Sequence, residues 1–154
     1  MRRAGRSIIV AVWLAYAAAT PLFAQAADPL GPRSAQGSAA MQAGKYDEAT
    51  AIYEELVAAR PTDPGLLLNL GMAQYLAGRA DAAIGPLQKA RKLRPSLAPA
   101  SLFLGASLLD LGRLQEAAAP LQRAVTAMPQ NGDAREMLAR VKLSLADFPS
   151  AATH

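Results

Sequence analysis

Residues 64–95 read PGLLLNLGMAQYLAGRADAAIGPLQKARKLRP, and the first half of this segment has the start and stop signals of a helix. Asp63 is a favourable N-cap, and Pro64 suits the first helical position because its missing N–H would be unpaired there anyway. Apolar residues then recur at helical spacing, and Gly78 stands where a helix commonly ends in a left-handed residue. We therefore expect a helix that begins near Pro64 and ends before Gly78.

The second half of the segment predicts another helix after a short turn. Residues 80–93 place an apolar stripe on one helical face: Ala83, Ile84, Leu87, Ala90 and Leu93. Pro95 ends this helix, because a proline drives the preceding residue towards extended geometry. Gly71 and Ala83 are small where the two antiparallel helices should cross, so we expect a close crossing there.

The same signals recur along the chain at a fixed spacing of thirty-four positions. Three series share this spacing: Gly44, Gly78 and Gly112; Pro61, Pro95 and Pro129; and Ala49, Ala83 and Ala117. Such a period is typical of stacked helix pairs, in which each pair buries its apolar face against the next. After the last proline, Asn131 or Asp133 can cap one further helix.

This pattern resembles the tetratricopeptide repeat family over roughly residues 30–146. The second copy carries the family signature at Leu70-Gly71, Gly78, Ala83, Leu87, Ala90 and Pro95, and the third copy matches equally well. The resemblance implies an all-α fold, a right-handed superhelical α-α solenoid of about three helix pairs plus a C-terminal capping helix.

The repeats and the segments that flank them predict a domain organisation. Before the repeats we place a signal peptide (1–26) and a linker (27–34), and after them a disordered tail (147–154). The repeat domain then covers 35–146. Its repeats fall at about 30–63, 64–97 and 98–131, and its capping helix at 132–146.

The segment before Ala27 has the features of a secretion signal. A positive stretch with Arg2, Arg3 and Arg6 precedes thirteen uncharged, mostly apolar residues, and Ala24-Gln25-Ala26 is a small-x-small cleavage pattern. We expect cleavage after Ala26 and a periplasmic or secreted bacterial protein. The alternative is an uncleaved membrane anchor, although the apolar stretch is shorter than the ~20 residues that span a bilayer. Membrane contact is expected only in that case.

Composition and charge argue against several classes of function. The net charge is +4, but three of these charges belong to Arg2, Arg3 and Arg6, so the remainder is nearly neutral and no nucleic-acid partner is expected. There is no cysteine, and the single histidine is the last residue, His154. Neither a catalytic triad nor a metal or cofactor site is therefore expected, and we predict that the protein is not an enzyme.

The resemblance implies a concave groove lined by the first helix of each pair. Transferring the outward stripe of these helices to this sequence gives the candidate partner-binding residues: Leu68, Asn69, Met72, Tyr75, Leu76, Leu102, Phe103, Ala106, Leu109, Asp110, Glu136 and Arg140. Some family members clamp the carboxylate of a peptide C-terminus in this groove. Asn69 matches one clamp position, whereas the others are occupied by Ser34, Ser38, Pro99 and Phe103, which lack the charge that holds a carboxylate.

Two hypotheses for the function follow. The first is an exported interaction module or scaffold that binds a protein or peptide segment in the groove, such as an amphipathic helix or an apolar extended segment. An alternative for the groove itself is that some of its apolar side chains pack between repeats. The second hypothesis is a structural repeat protein of the cell envelope that self-associates as a homo-oligomer.

Overall fold

A computed structural model describes residues 30–147, which form seven α-helices. In chain order these are α1 (Gly31–Gln42), α2 (Tyr46–Ala59), α3 (Pro64–Leu76), α4 (Ala80–Leu93), α5 (Ala98–Asp110), α6 (Leu114–Ala127) and α7 (Gly132–Asp147). This part of the chain contains no strand, and none of its helices has the length and apolar character needed to cross a membrane. The predicted signal peptide and most of the predicted tail lie outside the described residues.

The helices form three antiparallel pairs and a cap. Turns of three residues join the helices within a pair, and turns of four residues join successive pairs, so neighbouring helices must run in opposite directions. α1 packs on α2, α3 on α4 and α5 on α6, each pair packs on the next, and α7 packs on α6. This arrangement confirms the predicted all-α stack of helix pairs with a C-terminal capping helix.

Two of the predicted segment ends differ by a few residues from the helix bounds. α1 begins at Gly31, so residues 31–34 belong to the first helix and not to the linker. Leu30 precedes this helix and has no polar side-chain atom that would signal a helix start, and Gly31-Pro32 resembles a loop in the sequence. At the other end, Asp147 is the last residue of α7 and not the first residue of the tail.

The predicted start and stop signals of the second pair are confirmed. The Oδ1 atom of Asp63 accepts hydrogen bonds from the N–H groups of Gly65 (2.8 Å) and Leu66 (3.1 Å), and Pro64 is the first residue of α3. The turn inside each pair contains one left-handed glycine: Gly44, Gly78 and Gly112 have φ angles of 71°, 76° and 71°. A Cβ atom is strained in this conformation, which explains why glycine recurs at these turns.

A second glycine series sets the distance between the helices of each pair. Gly37, Gly71 and Gly105 face Tyr53, Leu87 and Leu121, respectively. A Cβ atom on Gly71 would lie 2.7 Å from Leu87 Cδ2, and one on Gly105 would lie 2.7 Å from Leu121 Cδ2. Because Leu87 and Leu121 are 0% exposed, they have no room to move aside. The missing side chain therefore permits the close crossing.

The first pair relies on polar contacts as well as on its core. α1 buries only Gly37 and Ala40, as its degenerate sequence indicates. Arg33 donates two hydrogen bonds to the carboxylate of Glu55 on α2, at 2.8 and 2.9 Å. These bonds attach the outer side of α1 to its partner helix, where large apolar residues are missing.

The helices lie in two layers that enclose the core. α3 packs directly on α5, and α5 on α7, so α3, α5 and the capping helix form one closely packed layer. In a solenoid, the layer whose helices touch each other lies on the concave side. We call α1, α3, α5 and α7 the inner layer, and α2, α4 and α6 the outer layer.

Candidate partner-binding surface

The residues predicted to bind a partner lie on the side of the inner-layer helices α3, α5 and α7 that is turned away from the outer layer. We call this side the inner face. On α3, Leu68, Asn69, Met72 and Tyr75 are half-buried, and Leu76 is 39% exposed. The apolar members are spaced by three or four residues, so they share one side of the helix. On α7, Glu136 and Arg140 are exposed.

An aromatic contact joins α3 to α5. The rings of Tyr75 and Phe103 meet edge to face, with centroids 5.7 Å apart and planes inclined by 66°. Both side chains pack against the core cluster that contains Leu104 and Leu108, as do Leu68, Leu102 and Leu109. Tyr75 and Phe103 therefore pack between two successive repeats, as the alternative for the groove expects, and Leu68, Leu102 and Leu109 are partly covered by the core.

The inner face differs from the predicted set of residues at two positions. Ala106 is 1% exposed, because α5 lies between α3 and α7 and a methyl group is too short to reach past its larger neighbours. Its prediction as a partner-binding residue is wrong. The predicted set also lacks Leu143, which follows Leu109 at the repeat spacing and is 65% exposed on α7. The repeat spacing alone is enough to indicate Leu143.

Three apolar side chains of the inner face remain available for contact. Leu76 and Leu143 are 39% and 65% exposed. Met72 is half-buried, and it is packed against none of the three core clusters found in residues 30–147. A partner that covers these side chains would remove apolar surface from water, which favours binding.

Polar side chains from three helices meet near the C-terminal ends of α3 and α5. The carboxylate of Asp110 and the charge of Arg140 both act on the hydroxyl of Tyr75. Burial raises the pKa of Tyr75 above its ordinary value, and the neighbouring carboxylate of Asp110 raises it further, whereas Arg140 lowers it. Asp110 and Arg140 are both exposed, so they can also contact a partner.

The described residues offer contacts and no metal site. No group of three or more His, Cys, Asp or Glu side chains in residues 30–147 could hold a metal ion. Carboxylates of the first pair are engaged in surface ion pairs, such as Asp47 with Arg79 at 3.0 Å and Glu48 with Lys45 at 3.3 Å. The inner face presents apolar side chains beside the exposed charged groups of Asp110, Glu136 and Arg140, which suit apolar contacts, hydrogen bonds and ion pairs with a partner.

Solved structures with the same architecture include two that hold bound peptides. The first TPR of Spaghetti (RPAP3) bound to the HSP90 peptide SRMEEVD is 28% identical, with a TM-score of 0.70, and the match covers 74% of this chain and 90% of that chain. The second TPR domain of human RPAP3 in complex with the HSP70 peptide SGPTIEEVD is 25% identical, with a TM-score of 0.66 and coverage of 71% and 92%.

A bacterial structure shows likeness of fold alone. The Yersinia enterocolitica type III secretion chaperone SycD in complex with a peptide of the translocator YopD is 22% identical, with a TM-score of 0.68 and coverage of 76% and 95%.

A search of curated proteins found no significant match. The family model described as Tetratricopeptide repeat matches residues 34–98 and 87–132. This chain therefore belongs to the tetratricopeptide repeat family.

Proposed function

We propose that the inner face binds a segment of a partner protein. The observation that carries this proposal is the apolar surface left open there by Leu76, Leu143 and Met72. Membership of the tetratricopeptide repeat family supports a protein-interaction module, and both RPAP3 domains described above are bound to peptides. The proposal in its finer form is an exported module or scaffold that holds the segment in a concave groove.

The inner face fits an apolar or amphipathic segment better than a peptide held by its terminal carboxylate. The peptides bound to the RPAP3 domains end in Asp. In this chain the expected clamp positions are neutral, and only Asn69 has a matching side chain. An amphipathic helix has apolar residues three and four positions apart, as do Met72, Tyr75 and Leu76 on α3.

Substitution of an open apolar residue tests this surface. Leu76→Asp and Met72→Asp each place a carboxylate in the apolar part of the inner face, and we expect both to abolish cross-linking to the partner that the wild-type protein captures. Phe103→Asp is less informative, because Phe103 also packs against the core. Leu93→Asp is the matched control, since Leu93 is 44% exposed but lies on α4 in the outer layer.

The outcomes of this experiment separate the alternatives. Loss of the partner in the two inner-face variants, with capture retained in the Leu93 variant, supports the proposal. Capture retained in both inner-face variants contradicts it, and so does an equal loss in the Leu93 variant. Circular dichroism of each variant establishes that the helices are still formed.

We also propose that the protein acts outside the cytoplasm, in the periplasm or as a secreted protein. The support is the positive, apolar and small-residue pattern of residues 1–26. N-terminal sequencing of the exported product should begin at Ala27. A membrane-bound product that begins at Met1 would contradict cleavage and would favour the uncleaved anchor.

Self-association at the end of the array is a second candidate function. No further helix covers α7 among the described residues, and Leu143 is 65% exposed on it. A second copy that stacks on α7 would bury this side chain. Light scattering tests this candidate, because a protein that remains monomeric at high concentration rules it out.

A further inference from the structure

The outer layer has a cleft between α4 and α6. The cleft has a volume of about 390 Å³ and is lined by Gln88, Arg91, Lys92, Pro95 and Arg123. Three of these side chains are cations, and none is a carboxylate. The cleft is therefore electropositive, and it belongs to the opposite layer from the inner face.

Two more cations lie next to the cleft residues in the sequence. Lys89 is on α4, and Arg94 is its C-terminal cap. Arg123 follows Lys89 at the repeat spacing, so neighbouring outer helices carry a positive charge at equivalent positions. We call Lys89, Arg91, Lys92, Arg94 and Arg123 the basic cluster.

The nearly neutral total charge of the repeats conceals this cluster. Residues 82–109 contain four cations and no acidic residue, whereas four acidic residues gather on α2: Asp47, Glu48, Glu54 and Glu55. The near-neutral total charge therefore does not mean that charge is evenly distributed over the repeats. The sequence signal that indicates the cluster is four cations within residues 89–94, in a stretch without acidic residues.

The charges of the basic cluster are not compensated within the described residues. None of its five members forms an ion pair or a side-chain hydrogen bond in residues 30–147. By contrast, Arg79 at the turn of the second pair lies 3.0 Å from Asp47, and Arg113 at the turn of the third pair lies 2.7 Å from Glu116. These two arginines are therefore paired, whereas the cations of the basic cluster are not.

Helix stability accounts for only part of this arrangement. Arg91 and Lys92 are in the last turn of α4, where positive charge interacts favourably with the helix dipole. That interaction does not explain Lys89, which lies before the last turn, or Arg123 on the neighbouring helix. It also does not explain why these side chains line a cleft.

We infer that this cleft binds an acidic segment of a protein, through carboxylate contacts with Arg91, Lys92 and Arg123. A guanidinium group can hold a carboxylate by two parallel hydrogen bonds. A cleft between two helices admits a chain segment, whereas an interfacial membrane-binding helix needs large apolar side chains beside its cations, and none lines this cleft. Surfaces that bind single-stranded nucleic acid combine cations with stacking aromatic side chains, and no aromatic residue lines this cleft.

Fluorescence anisotropy of a labelled oligoglutamate peptide, added to the full chain at low salt, measures this binding. The double variant Lys92→Gln/Arg123→Gln removes two cations from the cleft, and we expect its affinity to fall by about tenfold or more. The double variant Lys45→Gln/Arg135→Gln is the matched control, because it removes the same charge from exposed residues elsewhere. The control should bind the peptide as the wild-type protein does.

Two other anionic probes are compared with the peptide. One is a vesicle that contains phosphatidylserine, and the other is a single-stranded oligonucleotide. A preference for oligoglutamate that is lost only in the cleft variant supports the inference. An equal loss in both double variants overturns it, because net charge alone would then explain the binding. The inference is also overturned if vesicles or the oligonucleotide bind more tightly than the peptide, or if the peptide does not bind at low salt.

Discussion

Among single residues, the glycines illustrate how the same residue type has different roles in this fold. Gly71 faces the buried Leu87 across a helix crossing, whereas Gly85 on α4 has open space where its Cβ would be. We expect Gly71→Ala to lower the free energy of unfolding by about 1–3 kcal/mol. Gly85→Ala should leave it unchanged or raise it by up to about 1 kcal/mol, because alanine is the better helix former. Urea denaturation compares the two, and equal stabilities would contradict the role of Gly71.

Gln74 is one of four buried polar residues in residues 30–147. It is 8% exposed, and its Oε1 atom has no hydrogen-bond partner in residues 30–147. The equivalent residue of the third pair is Leu108, which is 2% exposed. We expect Gln74→Leu to raise the free energy of unfolding by about 1 kcal/mol, because it removes an unsatisfied buried oxygen. A lower melting temperature for this variant would contradict that explanation.

The raised pKa of Tyr75 predicts that the folded protein loses stability at alkaline pH. Its pKa is raised in the folded state, first by burial and then by Asp110, so the folded state favours the neutral phenol. The resulting stabilisation is complete below the ordinary pKa of 10.0 and is lost as the pH rises through the higher folded pKa. We therefore expect Tyr75→Phe to lose less stability than the wild-type protein over that pH range.

The NMR titration of the Tyr75 ring gives the pKa directly. Asp110→Asn removes the negative charge beside the hydroxyl, and it should move the pKa of Tyr75 part of the way back to its ordinary value. Because burial is the largest cause, the return should be incomplete. A Tyr75 pKa that does not change in this variant would contradict the contact between the two residues.

At the level of a helix, the N-cap of α3 shows how one side chain fixes where an element begins. Asp63→Ala removes the acceptor of two backbone N–H groups, and we expect it to lower the free energy of unfolding by about 0.5–2 kcal/mol. Asp63→Asn keeps an oxygen at the same position and should lose much less. If both variants are equally stable, the cap does not contribute to stability.

The helix bounds were predictable wherever the caps and stops are strong. The predicted second helix, residues 80–93, has the same bounds as α4, and α3 begins at the predicted Pro64. α1 was predicted less well because Leu30 is not a capping residue and Gly31-Pro32 resembles a loop. Its helix is stabilised instead by packing on α2, which involves residues far apart in the sequence.

For the whole molecule, the repeat period predicts which residues point outward but not how far their neighbours cover them. The covering of Ala106 depends on α3 and α7, and the contact between Tyr75 and Phe103 depends on two successive pairs. The basic cluster was missed for a related reason, since total charge does not show how charges are distributed over the two layers. The sequence therefore predicts which residues belong to the site, but not which residues of different helices lie close together.

The two layers also give the molecule two separate surfaces. The inner face is apolar, with polar side chains near the ends of α3 and α5, whereas the cleft of the outer layer is basic. Occupation of one surface does not require the other to be vacant. If both proposed surfaces bind their segments, one molecule would hold two partner segments at once, as the scaffold hypothesis requires.

The most direct test of the account is photo-cross-linking from defined positions in the two layers. A benzoylphenylalanine residue at Met72, Leu76 or Leu143 lies in the inner face, and one at the exposed Ala119 lies on α6 in the outer layer. We predict that the three inner-face positions cross-link to one continuous segment of a single protein and that Ala119 does not. Cross-links to that segment from Ala119, or unrelated products from the inner-face positions, would contradict the assignment of the inner face as the binding surface.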